Sequence, residues 1–326
     1  MILFVVAVGV LAAGLIAYLV ATSETEGLRA GFNPEFMARP DGYKGVSKAY
    51  GFAFVSAPIQ LAAGKMHQAC KDGDVDVISA FATDGPIDAY DLLVLEDDKG
   101  FFPPYDAAPI VRAEVLNQHP ELGAILDKLA GNISLAEMRS MNLEVVREQS
   151  PRKPEDVAHD FLVRKGLLDS APVAADPSAG HVSVANKNFT EQRILGSMLA
   201  ELIRHHSKLE VELIRELASD RIIGALESGE IDLYVEYTGT GLMNILKREP
   251  MSGAQRVYNL VKEEFRERYN LLWMKPLGFS NSYTLTMRRS KAEKLGIRTI
   301  SDLAEYVRQQ KRSKAREPSP AGFNAE

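Results

Sequence analysis

Two stretches of the chain end in polar, glycine-bearing turns of the kind that meet small ligands. GDVDVISAFATDG at 73–85 and GEIDLYVEYTGTG at 229–241 share a Gly, an acid, an aliphatic residue, Asp, a second aliphatic residue and an aromatic at the ninth place. Phe81 in the first therefore matches Tyr237 in the second. Each copy follows a helical pattern, KMHQACKDG or RIIGALESG, and reads as a strand. In α/β sheets ligands bind in the crevice beyond the carboxyl ends of the strands, which makes Phe81 and Tyr237 candidate ligand-facing positions. The plainer account is that any two helix–strand units with glycine turns look alike.

Other chemistries find little support. The six histidines, His67, His119, His159, His181, His205 and His206, form no zinc-like Cys/His pattern. The glycine turns, GTGLMN among them, do not make a phosphate loop. The single Cys70 excludes an internal disulfide. With 38 basic and 44 acidic side chains the formal charge is -6, which gives no basic surface of the kind nucleic acid requires. Neither an enzyme nor a bound cofactor is expected.

The elements that would position a site can be read from pattern. Residues 1–21 form an uncharged apolar run whose helix would be about 30 Å long, read as an uncleaved membrane anchor because the basic start and short apolar stretch of a signal peptide are missing. The acidic TSETEG that follows agrees with an external position. Past it, short strands alternate with amphipathic helices, which predicts an α/β fold with largely parallel sheets. Ser134 with Glu137 predicts a capping box, Ser219 and Asp220 a helix start before RIIGALES, and Ser301 a start before DLAEYVRQQ. Residues 115–167 read as consecutive helices, and 169–181, DSAPVAADPSAGH, as a linker. EDDKG at 96–100 reads as a solvated turn.

Longer motifs point further. The stretch 182–305, through KNFTEQ, VEYTGTG and LGFSNSY, resembles the mature N-terminal half of periplasmic substrate-binding proteins of ATP-binding-cassette importers for glycine betaine, choline and carnitine. Residues 29–167 resemble the other half, through AGFNPEFMARPDGYKG, DVISAFATDG and VLEDDKGFFPPYDAAP. The order of the halves is reversed relative to that family. The chain is therefore similar to a circular permutant, with 169–181 joining the old termini, and the AGFN at 30–33 and again at 321–324 would be remnants of the new seam.

The resemblance implies a two-lobed periplasmic binding protein fold of type II, preceded by the transmembrane helix. One lobe would hold 28–98 with 287–312, the other 99–168 with 182–286, and 313–326 would be a disordered tail. It also implies a ligand-binding set. Tyr237, Tyr283 and Tyr105 stand where the family places cage aromatics, and Phe81 where another member has Tyr. Lys187, Arg39 and Thr240 stand where a ligand carboxylate would be met. Aromatic faces attract a quaternary ammonium by roughly 0.5–2 kcal/mol each, and Arg can grip a carboxylate through two parallel hydrogen bonds. Ala218, Ser219 and Asp220 replace the family's usual Gly-Gly-Thr turn. Asp220 there would either favour a cation lacking its own carboxylate or cap a helix. The implied function is capture of a quaternary ammonium osmolyte between the lobes, as a monomer, on the extracytoplasmic face of a bacterial inner membrane, for delivery to the permease subunits of an importer. A tethered osmolyte sensor and a permuted remnant that no longer binds are the competing readings.

Overall fold

The computed structural model describes residues 27–168 and 171–316. The apolar stretch 1–21, residues 169 and 170 of the linker and the AGFN at 321–324 lie outside the described residues. Among the described residues no helix is long and apolar enough to cross a membrane. Contacts divide the chain into two units: one holds the described residues up to Ala80, Tyr90–Phe101 and those from Thr284 on, and the other holds Phe81–Ala89 and Phe102–Tyr283.

The first unit is built on a five-stranded sheet of order β2-β1-β3-β10-β4. Its strands are β1 (Ala30–Phe32), β2 (Ile59–Gln60), β3 (Val77–Phe81), β4 (Leu92–Val94) and β10 (Tyr283–Arg288). β1 pairs in parallel with β2 and β3, whereas β10 and β4 are antiparallel. The short β1 is held by what surrounds it. Phe32 is fully buried and its ring lies 5.2 Å from both Phe36 and Tyr43 and 6.1 Å from Phe54. The helix Ile300–Arg316 buries Leu303 and Val307, and its Gln310 accepts a 3.1 Å hydrogen bond from the Leu28 amide. That helix reaches four residues into the stretch read as a tail from 313.

The second unit carries a sheet of order β7-β6-β8-β5-β9, from β5 (Ala107–Arg112), β6 (His181–Lys187), β7 (Glu210–Leu217), β8 (Leu233–Tyr237) and β9 (Leu271–Trp273). Both faces are covered, so its central strands are apolar on alternate and intervening positions alike. Leu233, Val235 and Tyr237 of β8 pack into one core with Phe161, Leu195 and Met198. Tyr234, on the opposite face, packs into another with Phe265 and Trp273.

Several expectations are corrected. The sheets are mixed rather than largely parallel, since β5 runs antiparallel to both β8 and β9. The nearly continuous apolar run of β5 marks a strand buried on both faces and leaves its direction open. Residues 81–89 belong to the second unit, not with 28–98, because Arg139 donates to the Ala82 carbonyl, Asn142 donates to the Thr83 carbonyl, and a Cβ at Gly85 would come within 2.6 Å of the Leu143 backbone. Asp220 caps nothing, for it is exposed and the helix Ile222–Ser228 starts after Arg221 with no side-chain cap. The start expected at Ser301 belongs to Thr299, whose hydroxyl accepts from the Asp302 amide while the Asp302 carboxylate accepts from the Thr299 amide. The linker meanwhile lies along the second unit, Val173 and Asp176 donating to the His205 and Lys208 carbonyls, and ends at Gly180, since His181 already opens β6. Asp97 in EDDKG is more than a solvated charge, for it accepts from the Tyr50 hydroxyl and the Phe101 amide.

Ser134 and Glu137 form the expected capping box on the helix Leu135–Val146. The Lys165 ammonium, then the bonds from Ser134, hold the Glu137 carboxyl down to about 2. A folded-state value below the unfolded one gives stability that is present above pH 4.5 and lost as pH falls toward 2. Ser134→Ala should cost about 1 kcal/mol in urea unfolding at neutral pH. Glu137→Gln should remove its share of the acid-side loss; an unchanged slope would show that the carboxylate is not held this way.

Candidate functional site

The aromatic residues singled out in the sequence all fall in the second unit, where strands end in turns. Tyr237 closes β8, and Phe189, just ahead of the helix Thr190–His206, stacks on it with centroids 6.3 Å apart and planes at 29°. Phe81 closes β3 and Tyr283 opens β10, with centroids 4.5 Å apart at 30°. Tyr105 lies flat on the turn after Tyr237: a Cβ at Gly239 would sit 2.7 Å from its ring, so the Thr-Gly-Thr sequence tolerates nothing larger there. Tyr237, Tyr283 and Tyr105 are buried, Phe81 is half-buried and Phe189 is 38% exposed.

These groups are joined by one carboxylate. Glu191, in the first turn of the helix Thr190–His206, is 3% exposed. Its Oε1 accepts from the Tyr237 hydroxyl at 2.7 Å and from Asn281 Nδ2 at 3.1 Å. Its Oε2 accepts from Asn142 Nδ2 at 3.1 Å, and the Thr83 hydroxyl is bonded to the group as well. Gln192 Nε2 donates to the Tyr237 oxygen at 3.3 Å, which leaves that hydroxyl to act as donor toward Glu191. Burial pushes the Glu191 carboxyl above its ordinary range, against the lowering effect of these bonds, and burial followed by the nearby Glu191 raises the Tyr237 phenol. Asn281 and Thr83 lie two residues from Tyr283 and Phe81, so both stacked pairs are referred to the same anchor.

The cations nominated from sequence are already engaged. Lys187 is 4% exposed, and its Nζ lies 2.7 Å from both oxygens of Glu236, which also accepts from the Tyr234 hydroxyl and the Tyr237 amide. The ammonium stands over Tyr234 and Tyr237 at 5.5 and 5.9 Å from the centroids, on the side of β8 that faces the core. Lys187 is thus paired with Glu236, and period-two alternation puts residues 234 and 236 on one face of β8 with it. Arg39 is in the first unit, where it grips Asp41 at 2.8 and 2.9 Å and reaches Glu35 at 3.1 Å. Thr240 is half-buried in the turn after Tyr237.

Phe189, Glu191, Gln192 and Asn281 were missed in the sequence reading, although the first three lie within KNFTEQ and the last within LGFSNSY. Nothing about a glutamate in a helix's first turn signals a buried anchor, since acids are common there for their interaction with the helix dipole. A groove of about 590 Å³ beside the edge strand β7, lined by Val173, His181, Arg204 and Glu212 among others, shares no residue with this set. Among the described residues no cluster of His, Cys, Asp and Glu is arranged to hold a metal.

Comparison with known proteins bears on this arrangement. The profile of the family described as the substrate binding domain of ABC-type glycine betaine transport system matches residues 19–164 and 180–324. The chain belongs to this family. Its similar relatives include a carnitine transport binding protein of Listeria monocytogenes, 40% identical over 44% of this chain and 46% of that protein. A glycine-betaine-binding protein of Pseudomonas aeruginosa is 41% identical over 42% of this chain and 44% of its own length. A solved structure described as a glycine betaine/carnitine/choline ABC transporter is 38% identical over 44% of this chain and 51% of its own, with a TM-score of 0.38. The chain thus spans about half the length of the curated relatives it matches. The family is one of substrate-binding domains and not of enzymes.

For this substrate-binding domain, the buried pair makes a test separate from ligand. Lys187→Ala leaves Glu236 buried without its cation and should destabilise the fold by about 3–5 kcal/mol in urea unfolding without ligand. A loss under 1 kcal/mol would return Lys187 to the role of a ligand counter-charge.

Proposed function

We propose that the protein is the extracytoplasmic solute-binding component of an ATP-binding-cassette importer and holds a quaternary ammonium osmolyte on the aromatic faces of Phe189, Tyr237, Phe81, Tyr283 and Tyr105. The observation that carries this reading is the pair of stacked rings, Phe189 on Tyr237 and Phe81 on Tyr283, both tied to one buried carboxylate. A trimethylammonium head offers no hydrogen-bond donor. It is recognised by diffuse negative charge and apolar surface together, which rings supply and solvated ions do not. Membership of the family and the printed names of the relatives support the same ligand class. Thr240 is the proposed polar contact for the far end of the ligand. Because Lys187 and Arg39 are held by Glu236 and Asp41, a ligand carboxylate would have to compete with those partners.

Permutation is part of the proposal. Its support is the family match in two stretches separated by 165–179, together with the packing of Leu28 on Gln310, which brings the start of the described chain onto its last helix. Joining of distant segments at a surface is the kind of change that leaves core contacts in place. Residues 1–21 are proposed to tether the domain beside its permease subunits, where a high local concentration compensates for weak affinity.

Calorimetric titration with glycine betaine, carnitine and choline tests the reading. At least one should bind, and Tyr237→Ala should weaken it about tenfold or more, the loss of one desolvated cation–ring contact. Failure of all three to bind would favour a remnant that keeps the fold without the site.

A further inference from the structure

Glu191 differs from the other buried acid of the second unit's sheet ends. Glu236 is neutralised by Lys187 at 2.7 Å. The partners of the Glu191 carboxylate among the described residues are all neutral: Thr83, Asn142, Tyr237 and Asn281. A carboxylate 3% exposed and without a cation costs the fold free energy that a well-paired one does not. Donors surround it on both oxygens and favour the acceptor-only, ionised form, against burial, which favours the neutral one. What this carboxylate lacks among the described residues is a cation bonded to it, since the Lys187 ammonium over the Tyr237 ring is held by Glu236.

The Tyr237 hydroxyl provides the route by which a ligand's positive charge would be felt. A phenol that donates a short hydrogen bond to a carboxylate acquires part of the electron density of a phenolate. Hydrogen bonds in a chain polarise one another in this way when water is excluded, and a richer ring face attracts a cation more strongly. Phe189 is stacked on the same ring.

We propose that Glu191 is the positioning residue of the aromatic site: its carboxylate fixes Tyr237 through the hydroxyl, enriches that ring, and presents the buried negative charge that a quaternary ammonium ligand neutralises. The inference rests on the quaternary ammonium reading of the same site. Through Asn281 and Thr83 the carboxylate also sets the turns that carry Tyr283 and Phe81. A merely structural Glu191 would shape the site without distinguishing a charged head from a neutral one of the same size.

The test uses that distinction. Choline and 3,3-dimethylbutan-1-ol, then glycine betaine and 3,3-dimethylbutanoate, differ only by nitrogen against carbon in the head. Each is titrated calorimetrically into the wild type, Glu191→Gln and Tyr237→Phe. Glu191→Gln should weaken the ammonium ligand about tenfold and the carbon analogue by no more than about twofold. Tyr237→Phe, which cuts the same bond from the other side, should show the same selective loss. The double variant should weaken the ammonium ligand no more than about threefold beyond Glu191→Gln, the non-additivity expected of directly coupled residues. Equal weakening of ammonium and carbon ligands, or an unchanged ammonium affinity in both single variants, overturns the proposal while leaving the ligand class standing. A wild type that binds no quaternary ammonium overturns the ligand class and this inference with it. Should Glu191→Gln fail to fold, Tyr237→Phe alone decides, since it retains the carboxylate and the packing.

Discussion

A carboxylate buried at the start of a helix is the constraint on which the second unit's aromatic face depends. Glu191 ties the end of β8, the helix Leu135–Val146 and the turns before β10 and after β3 through Tyr237, Asn142, Asn281 and Thr83. None of those segments is close to the others in sequence. Desolvation makes the carboxylate demand every donor, and the donors are spaced so that meeting the demand sets the rings.

A second charge, one face away, does different work. Lys187 and Glu236 satisfy each other with the help of the Tyr234 hydroxyl and the Tyr237 amide, so the pair holds β6 and β8 together in the core. The alternation of β8 sorts the two carboxylate systems: Tyr237 points toward Glu191, whereas Tyr234 and Glu236 point to the opposite side. Both systems converge on Tyr237, whose hydroxyl serves one and whose amide serves the other. Gly239 completes the arrangement by letting the Tyr105 ring approach the backbone more closely than any side chain would allow.

Much of the element pattern was legible from residues. The helix–strand pairs ending at Phe81 and Tyr237, the capping box at Ser134 and the helical run before the linker follow from local periodicity and capping chemistry, which act over a few residues. The family was legible from its long motifs, and the profile match bears it out. Strand direction was less so, because β5 is apolar and buried whether its neighbours run with or against it. The cap at Thr299 fell two residues before the Ser301 nominated, and the helix from Ile222 took no side-chain cap from Ser219 or Asp220, since only backbone geometry selects among nearby Ser, Thr and Asp residues.

The partners of charged side chains were decided by tertiary structure alone. Lys187 and Arg39 read equally well as ligand-binding cations until Glu236, 49 residues away, and Asp41 were seen to hold them. Sequence determined that aromatic residues would stand at the ends of strands, because period-two alternation and turn glycines are local properties. It could not determine that Phe189 would stack on Tyr237, or that Glu191 would be buried with neutral donors only. Burial of a charge is a sum over segments brought together from across the chain, and no single stretch carries it.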